Sequence, residues 1–280
     1  MRHLSIFAVA SLCLASPAWA QDAEPLPSPE EISNADSFTI AAGGAMIPDY
    51  EGSDDYRFIP AGAIRGRVSG ISFSTRGLYL YVDVVSGGSG NVDFDVGPIA
   101  GVRFNRTGKI KDDAVDLLPE RNTAVELGGF AGVSFKGLTN PYDSLGVRLD
   151  VVKDVASAHE STVVSPNVEF STPLSRSLFV GASVGADFVS NRFADYYFSV
   201  SPAEAVVSGL SAFDADGGMK NWKVGLLANY SLSGDLLHGL SIFGTGGYSR
   251  LVGDFKRSPI VSTRGSASQW LGAIGLAYSF

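Results

Sequence analysis

From Ser37 to Phe280 the chain alternates apolar and polar positions with a period of two, the pattern of a β-strand with one apolar face. Leu178, Val180, Ala182, Val184, Ala186 and Phe188 share one parity; Phe179, Gly181, Ser183, Gly185 and Asp187 share the other. In the same way Trp222, Val224, Leu226, Ala228, Tyr230 and Leu232 oppose Lys223, Gly225, Asn229 and Ser231. Val92, Phe94, Val96, Ala100, Val102 and Phe104 oppose Asp93, Asp95, Gly97, Arg103 and Asn105, while Leu145, Val147, Leu149 and Val151 oppose Gly146, Arg148 and Asp150. No sustained stripe at 3.6-residue spacing and no apolar run long enough for a helical span interrupts the pattern.

Two architectures accept such strands: a soluble sandwich with its apolar face inward, or a transmembrane barrel with that face toward lipid. Segments such as 122–136 and 177–190 exceed the about 5 or 6 residues of a sandwich strand and suit a tilted membrane strand. Aromatics stand near segment ends (Phe38, Phe104, Phe135, Phe188, Trp222, Trp270, Tyr278), where interfacial girdles form. The last segment places Trp270, Gly272, Ile274, Leu276, Tyr278 and Phe280 on one face and ends on an aromatic. It resembles the C-terminal strand of bacterial outer-membrane barrels, which makes Tyr278 and Phe280 the expected signal to the barrel assembly machinery, with outer-membrane lipid around the wall.

The expected fold class is therefore all-β: an antiparallel transmembrane barrel of the outer-membrane type. Twelve strands are predicted, at 37–47, 57–67, 70–75, 78–85, 91–105, 122–136, 143–153, 161–172, 177–190, 219–232, 239–251 and 267–280. The short pair 70–75 and 78–85 leaves ten strands as the next even number. Short turns face the periplasm in this reading, and the loops 48–56, 106–121, 154–160, 191–218 and 252–266 face outward. Asp95, Arg103, Glu126, Arg148, Asp150, Asp187 and Lys223 fall on the lumen parity and are expected to pair across a narrow bore. Bulky inward residues such as Phe130 would help to block it, and a small pore and a closed interior both remain open.

Composition narrows the classes further. The 280 residues carry 29 Asp+Glu against 21 Lys+Arg, a net charge of −8, with 18% charged and 45% hydrophobic residues. That mixture argues against a disordered polymer, and the scattered basic residues give no stripe for nucleic acid. Arg2, the apolar run from Leu4 to Ala15 and the Ala18-Trp19-Ala20 ending read as a cleaved signal peptide over 1–20 that exports the chain, whose expected place is the outer membrane of a Gram-negative cell. Residues 21–36, rich in Pro, Glu and Asp, read as a flexible periplasmic arm, and 37–280 as the barrel. Cys13 is lost with the signal, so thiolate chemistry is excluded, and His159 and His238 are the only imidazoles left. No cofactor is expected.

Three loops hold candidate chemistry. Pro48-Asp49-Tyr50-Glu51-Gly52-Ser53-Asp54-Asp55-Tyr56 clusters carboxylates that could cage Ca²⁺, but its spacing is not that of a calcium loop, and a solvated acidic loop is favoured. The stretch from Asp195 to Gly218, long and aromatic, leaves three readings open: a lid over the mouth, a partner surface, or a long exterior loop with no specific ligand. His159-Glu160-Ser161 puts an imidazole beside a hydroxyl, but only His159 and Ser161 share a side, so a rim hydrolase is the least favoured function.

Pro48-x-Tyr50-x-Gly52-Ser53-x-x-Tyr56 followed by Pro60, Tyr197-x-x-Val200 with Glu204-Ala205 and Ser208-Gly209-Leu210, Gly253-Asp254 with Ser258-Pro259, and Tyr278-Ser279-Phe280 follow one another in order over nearly all of 37–280. In these elements the chain resembles the MipA/OmpV family, the MltA-interacting protein group of outer-membrane proteins. The resemblance implies a barrel that scaffolds a lytic transglycosylase together with a peptidoglycan synthase. Other members are associated with osmotic response, adhesion or antibiotics, and no catalytic residues carry over. The expected function is thus a non-enzymatic envelope scaffold, with a narrow solute channel as the alternative.

Overall fold

The computed structural model describes residues 28, 35–85 and 90–280. The segment expected as a signal peptide, nearly all of the one expected as an arm, and residues 86–89 after the fourth strand lie outside the described residues.

Twelve antiparallel strands close on themselves in simple sequence order, the first pairing with the last. They are β1 (Ser37–Pro48), β2 (Tyr56–Val68), β3 (Ile71–Arg76), β4 (Tyr79–Asp83), β5 (Val92–Arg103), β6 (Ala124–Lys136), β7 (Ser144–Asp154), β8 (Thr162–Pro173), β9 (Leu178–Val189), β10 (Gly218–Ser231), β11 (Gly239–Leu251) and β12 (Ser268–Ser279). Twelve is thus the number, and the short pair belongs to the wall. Closure leaves no exposed end-to-end seam: Thr39 pairs with Ser279 and Met46 with Gly272.

The period-two pattern sorts the two faces. Phe94, Leu149, Val184, Leu226, Ile274 and Leu276 are exposed on the outer wall, as lipid-facing residues are in a chain taken alone. A strand of 12 residues tilted in a barrel climbs roughly 30 Å, enough for an apolar band of about 25 Å. β3 and β4 have only 6 and 5 residues, so the wall there is about half as high. No helix among the described residues is long and apolar enough to cross a membrane.

The loops at the end away from the termini are not loose. They carry five short helices: α1 (Asp113–Asp116), α2 (Asn191–Phe198), α3 (Pro202–Ser208), α4 (Gly253–Arg257) and α5 (Pro259–Ser262). α2 buries Phe193, Ala194, Tyr197 and Phe198, an i, i+1, i+4, i+5 stripe directed at the barrel. These side chains join Ile99, Phe130, Val152, Val163 and Val189 of the strands and Phe255 and Val261 of the last loop in one apolar core. Tyr50, Ile110, Val115, Leu118, Val200, Leu210 and Ile260 form a second core between the loops themselves. The loops are therefore one packed lid with its own interior.

Candidate functional site

The site is the bore beneath this lid. Register places Asp95 and Arg103 (β5), Glu126 (β6), Arg148 and Asp150 (β7), Asp187 (β9) and Lys223 (β10) on the inner face. Across the bore, β1, β2 and β12 offer Ala41, Gly43, Ala45, Ala61, Ala63, Ala273, Gly275 and Ala277. One wall is charged and the opposite wall is small.

Ion pairs cross the bore at two levels. At the lid level, Glu51 of the β1–β2 loop reaches inward, and its Oε1 accepts from Lys220 Nζ at 2.8 Å and from Arg103 Nη1 at 3.2 Å. Arg103 also meets Glu126 at 2.9 Å, and Lys220 lies 3.8 Å from Asp187, which Lys223 holds at 2.7 Å. The Phe193 ring of α2 sits against both cations, 5.3 Å from the Arg103 guanidinium carbon and 5.2 Å from Lys220 Nζ. The lid is thereby seated on the charged crossing. Nearer the termini, Arg76 of β3 spans to Glu169 of β8, five strands away around the ring of twelve. Arg148 lies 3.5 Å from Glu169 and 2.6 Å from Asp150, and Tyr81 packs against both guanidinium groups. Between the crossings lies a cavity of about 370 Å³, lined by Tyr79, Tyr81, Ser165, Asn167, Asp187, Lys223 and the crossing residues. Asp95 lies outside it and accepts from Ser134 at 2.8 Å.

The favoured reading of the 48–56 loop as solvated is corrected in part: Asp54 and Asp55 are exposed, and the rest of the loop turns inward. Asp49 (3%), Tyr50 (2%) and Ser53 (1%) are buried, because the loop's partners come from the last loop, far along the chain. The Tyr50 hydroxyl lies 3.1 Å from the Ile260 carbonyl and 3.2 Å from that of Arg264. Gly52 N–H donates to Gln269 Oε1, and Gln269 Nε2 donates to the Ser53 carbonyl. Trp270 N–H donates to the Tyr56 hydroxyl, and Pro48 ends β1 opposite Tyr56. Among the described residues no group of three or more His, Cys, Asp or Glu side chains is placed to hold a metal ion.

Charge follows this packing. Burial pushes the Glu51 carboxyl up, but Lys220 and Arg103 outweigh it and hold it below its ordinary 4.5. Burial raises the Tyr50 and Tyr197 hydroxyls and lowers Arg106, to about 10. Glu204 also lies below its ordinary value, because bonds from Ser201 and the charge of Arg121 outweigh burial.

His159 is buried in the loop between β7 and β8, under α2 of the lid. Its Nε2 donates to Glu126 at 2.9 Å, its Nδ1 accepts from Ser161 N–H at 3.2 Å, and its ring packs 5.0 Å from Phe193. The Ser161 hydroxyl turns instead to Ser190, 2.5 Å away. Both ring nitrogens are occupied and the serine oxygen lies on neither, so the grouping is a strut under α2.

Residues 40–280 match the family described as MltA-interacting protein MipA. The chain belongs to the MipA family. No curated protein matches it. Among solved structures it is similar to the NanC porin, at 10% identity, TM-score 0.49, covering 86% of this chain and 98% of that one. It is also similar to an outer membrane channel from Pseudomonas putida F1, at 11% identity, TM-score 0.46, covering 95% and 100%.

The residues that carry the family resemblance meet in the lid, where many of them fix its joints. Ser201 and Glu204 form a capping box at the start of α3 with Pro202 in its first turn, and Gly209 closes it with φ 73°. Ser208 Oγ donates to the Glu204 carbonyl, and Leu210 enters the core with Tyr50 and Ile260. Ser258 Oγ donates to the Phe198 carbonyl at 2.6 Å, tying the last loop to α2. At the other end Phe280 N–H donates to the Phe38 carbonyl, and its ring packs 4.8 Å from Tyr278.

Glu51, Arg76, Tyr79, Glu169 and Lys220 also belong to the site, and no lumen prediction named them. Lys220 shares the parity of Trp222 and Val224, which would put a lysine toward lipid. A register shift between Met219 and Asn221 turns it inward, where it is 1% exposed. A charge on the apolar parity was the available signal.

Proposed function

We propose that this MipA-family chain is a non-enzymatic barrel of the Gram-negative outer membrane, closed to solutes at rest, that serves the envelope as a structural element and scaffold. The observation that carries this reading is the bore, crossed by ion pairs at two levels and sealed by a lid that shares one apolar core with the strands and has a second of its own. A bore capped by cross-loop packing and braced by ionic crossings favours rigidity over conduction. In this reading the signal peptide brings the chain to the periplasm, and Tyr278 and Phe280 engage the barrel assembly machinery. The termini end then faces the periplasm, toward a lytic transglycosylase and a peptidoglycan synthase as partners. Pull-down from detergent-solubilised envelopes tests the scaffold: recovery of a murein hydrolase with a synthase is expected, and recovery of neither overturns it.

A second reading, a gated channel for small polar solutes, is favoured by the polar cavity of about 370 Å³ between the crossings. Planar-bilayer recording separates the two. The scaffold reading expects silence from the intact chain and steps once residues 191–217 are replaced by a short linker; steps from the intact chain favour the channel.

A further inference from the structure

We propose that the bore from the termini end up to the lid-level crossing is a binding site for a small hydroxylated carboxylate, with Arg65 and Arg76 as the anchor at its mouth and the cavity above them as the seat of the hydroxyl groups. Arg65 of β2 pairs in register with Thr39 on the inner face. Its charged neighbours are Arg76 and Glu169, and among the described residues no carboxylate forms an ion pair with it. Three guanidinium groups, Arg65, Arg76 and Arg148, thus share two carboxylates, Glu169 and Asp150. Arg65 is the guanidinium of this cluster without a carboxylate of its own, and a ligand carboxylate supplies that partner.

The lower crossing can yield to a competitor. Arg76 and Glu169 side chains are 41% and 37% exposed, so water reaches the pair and its net worth is small. A ligand carboxylate would take the Arg76 fork while Glu169 turns to water. The other end of the cavity asks for a donor: Glu51 Oε2 is buried with no hydrogen-bond partner. Tyr81, Asn167 and Ser165 between them suit hydroxyl groups, and the volume suits a single small molecule. A carboxylate at one end and hydroxyl donors along the other side is the chemistry this arrangement recognises.

Calorimetric titration of the refolded full chain in detergent, at low ionic strength, tests the proposal with gluconate as probe and glucose as its uncharged counterpart. Saturable heat with gluconate and none with glucose is expected. Arg65→Gln weakens gluconate about tenfold, and Glu169→Gln, which removes the competing anion, tightens it by about threefold or more. Heat-modifiable gel migration confirms that each variant is folded, and Glu169→Gln decides alone if Arg65→Gln fails to fold. No saturable heat in either the native chain or Glu169→Gln overturns the proposal, as does equal binding of glucose, unchanged binding in Arg65→Gln, or unchanged or weaker binding in Glu169→Gln. The readout involves neither conductance nor protein partners, so its failure leaves the scaffold reading untouched.

Discussion

Lys220 Nζ donates to Glu51 Oε1 at 2.8 Å, joining the start of the tenth strand to the first long loop across the interior of the barrel. The lysine side chain is 2% exposed and the Glu51 Oε2 atom is buried, so both partners are desolvated. Phe193 covers both cations of this crossing, which makes the ionic contact and the seating of the lid one structural unit.

Replacing Lys220 by Met therefore strands Glu51 and Asp187 with less positive charge than they need. A loss of about 3 kcal/mol in urea unfolding, followed by gel shift, is expected. The double variant Lys220→Met with Glu51→Gln should lose clearly less than the sum of the two single changes, because the carboxylate no longer lies beside a missing cation. Additive losses would mean that the contact is incidental.

Acid should loosen the lid before it unfolds the barrel. Glu51 and Glu204 are held below their ordinary 4.5, and Asp112 below its 3.8 because the Arg264 bond and α1 backbone donors outweigh burial. A carboxyl depressed in the folded state contributes stability that is complete above its unfolded value and is lost as pH falls through the folded one. The loss thus begins just below about pH 4.5 and grows toward lower pH. Bilayer recordings silent at neutral pH should show steps at about pH 3, and a chain lacking 191–217 should conduct at both. A pH-independent silence would remove these carboxylates from the account of closure.

The strands, their number and the inner face were legible because lipid outside and charge inside impose a period of two that each strand reports locally. The seven predicted lumen residues all lie on the inner face by register for the same reason. The lid was legible only as excess length and aromatic content in 191–218. What it packs against is set by contacts such as Tyr50 with Ile260, 210 positions apart, which no local pattern encodes. Glu51 was hidden in that way, in a loop that reads as solvated until its partners are known. Lys220 was hidden differently, by one extra residue that reverses parity at the start of β10.

Gly52 is a tight joint between the first and last loops. Its φ of 102° disfavours any side chain, and a Cβ there would lie 2.4 Å from Val261 Cγ2. Gly52→Ala should cost the lid about 1–3 kcal/mol while leaving strand pairing intact. Faster protease cleavage in 252–267 with unchanged heat-modifiable migration is the expected result. Equal loss of both would place Gly52 in barrel assembly instead.

Pro60 marks the open edge that the short strands create. Pairing of β2 with β3 stops at Arg65 and Ser74, and Ile64 turns both its N–H and its carbonyl to Thr75 Oγ1. By the two-residue period the peptide groups of Gly62, Pro60 and Phe58 face the same side, where the sheet offers them no strand. The Tyr56 carbonyl at the far end is taken by Lys111 Nζ at 2.5 Å. A proline has no N–H to leave unpaired in lipid, so it suits this edge while β1 pairs normally on the other side. Pro60→Val restores an orphan donor at the cost of about 1–3 kcal/mol and gives the edge a template for other chains. Lower refolding yield and new oligomers on cross-linking are expected. A variant that refolds as a monomer with native stability would mean that another part of the lid already covers this edge.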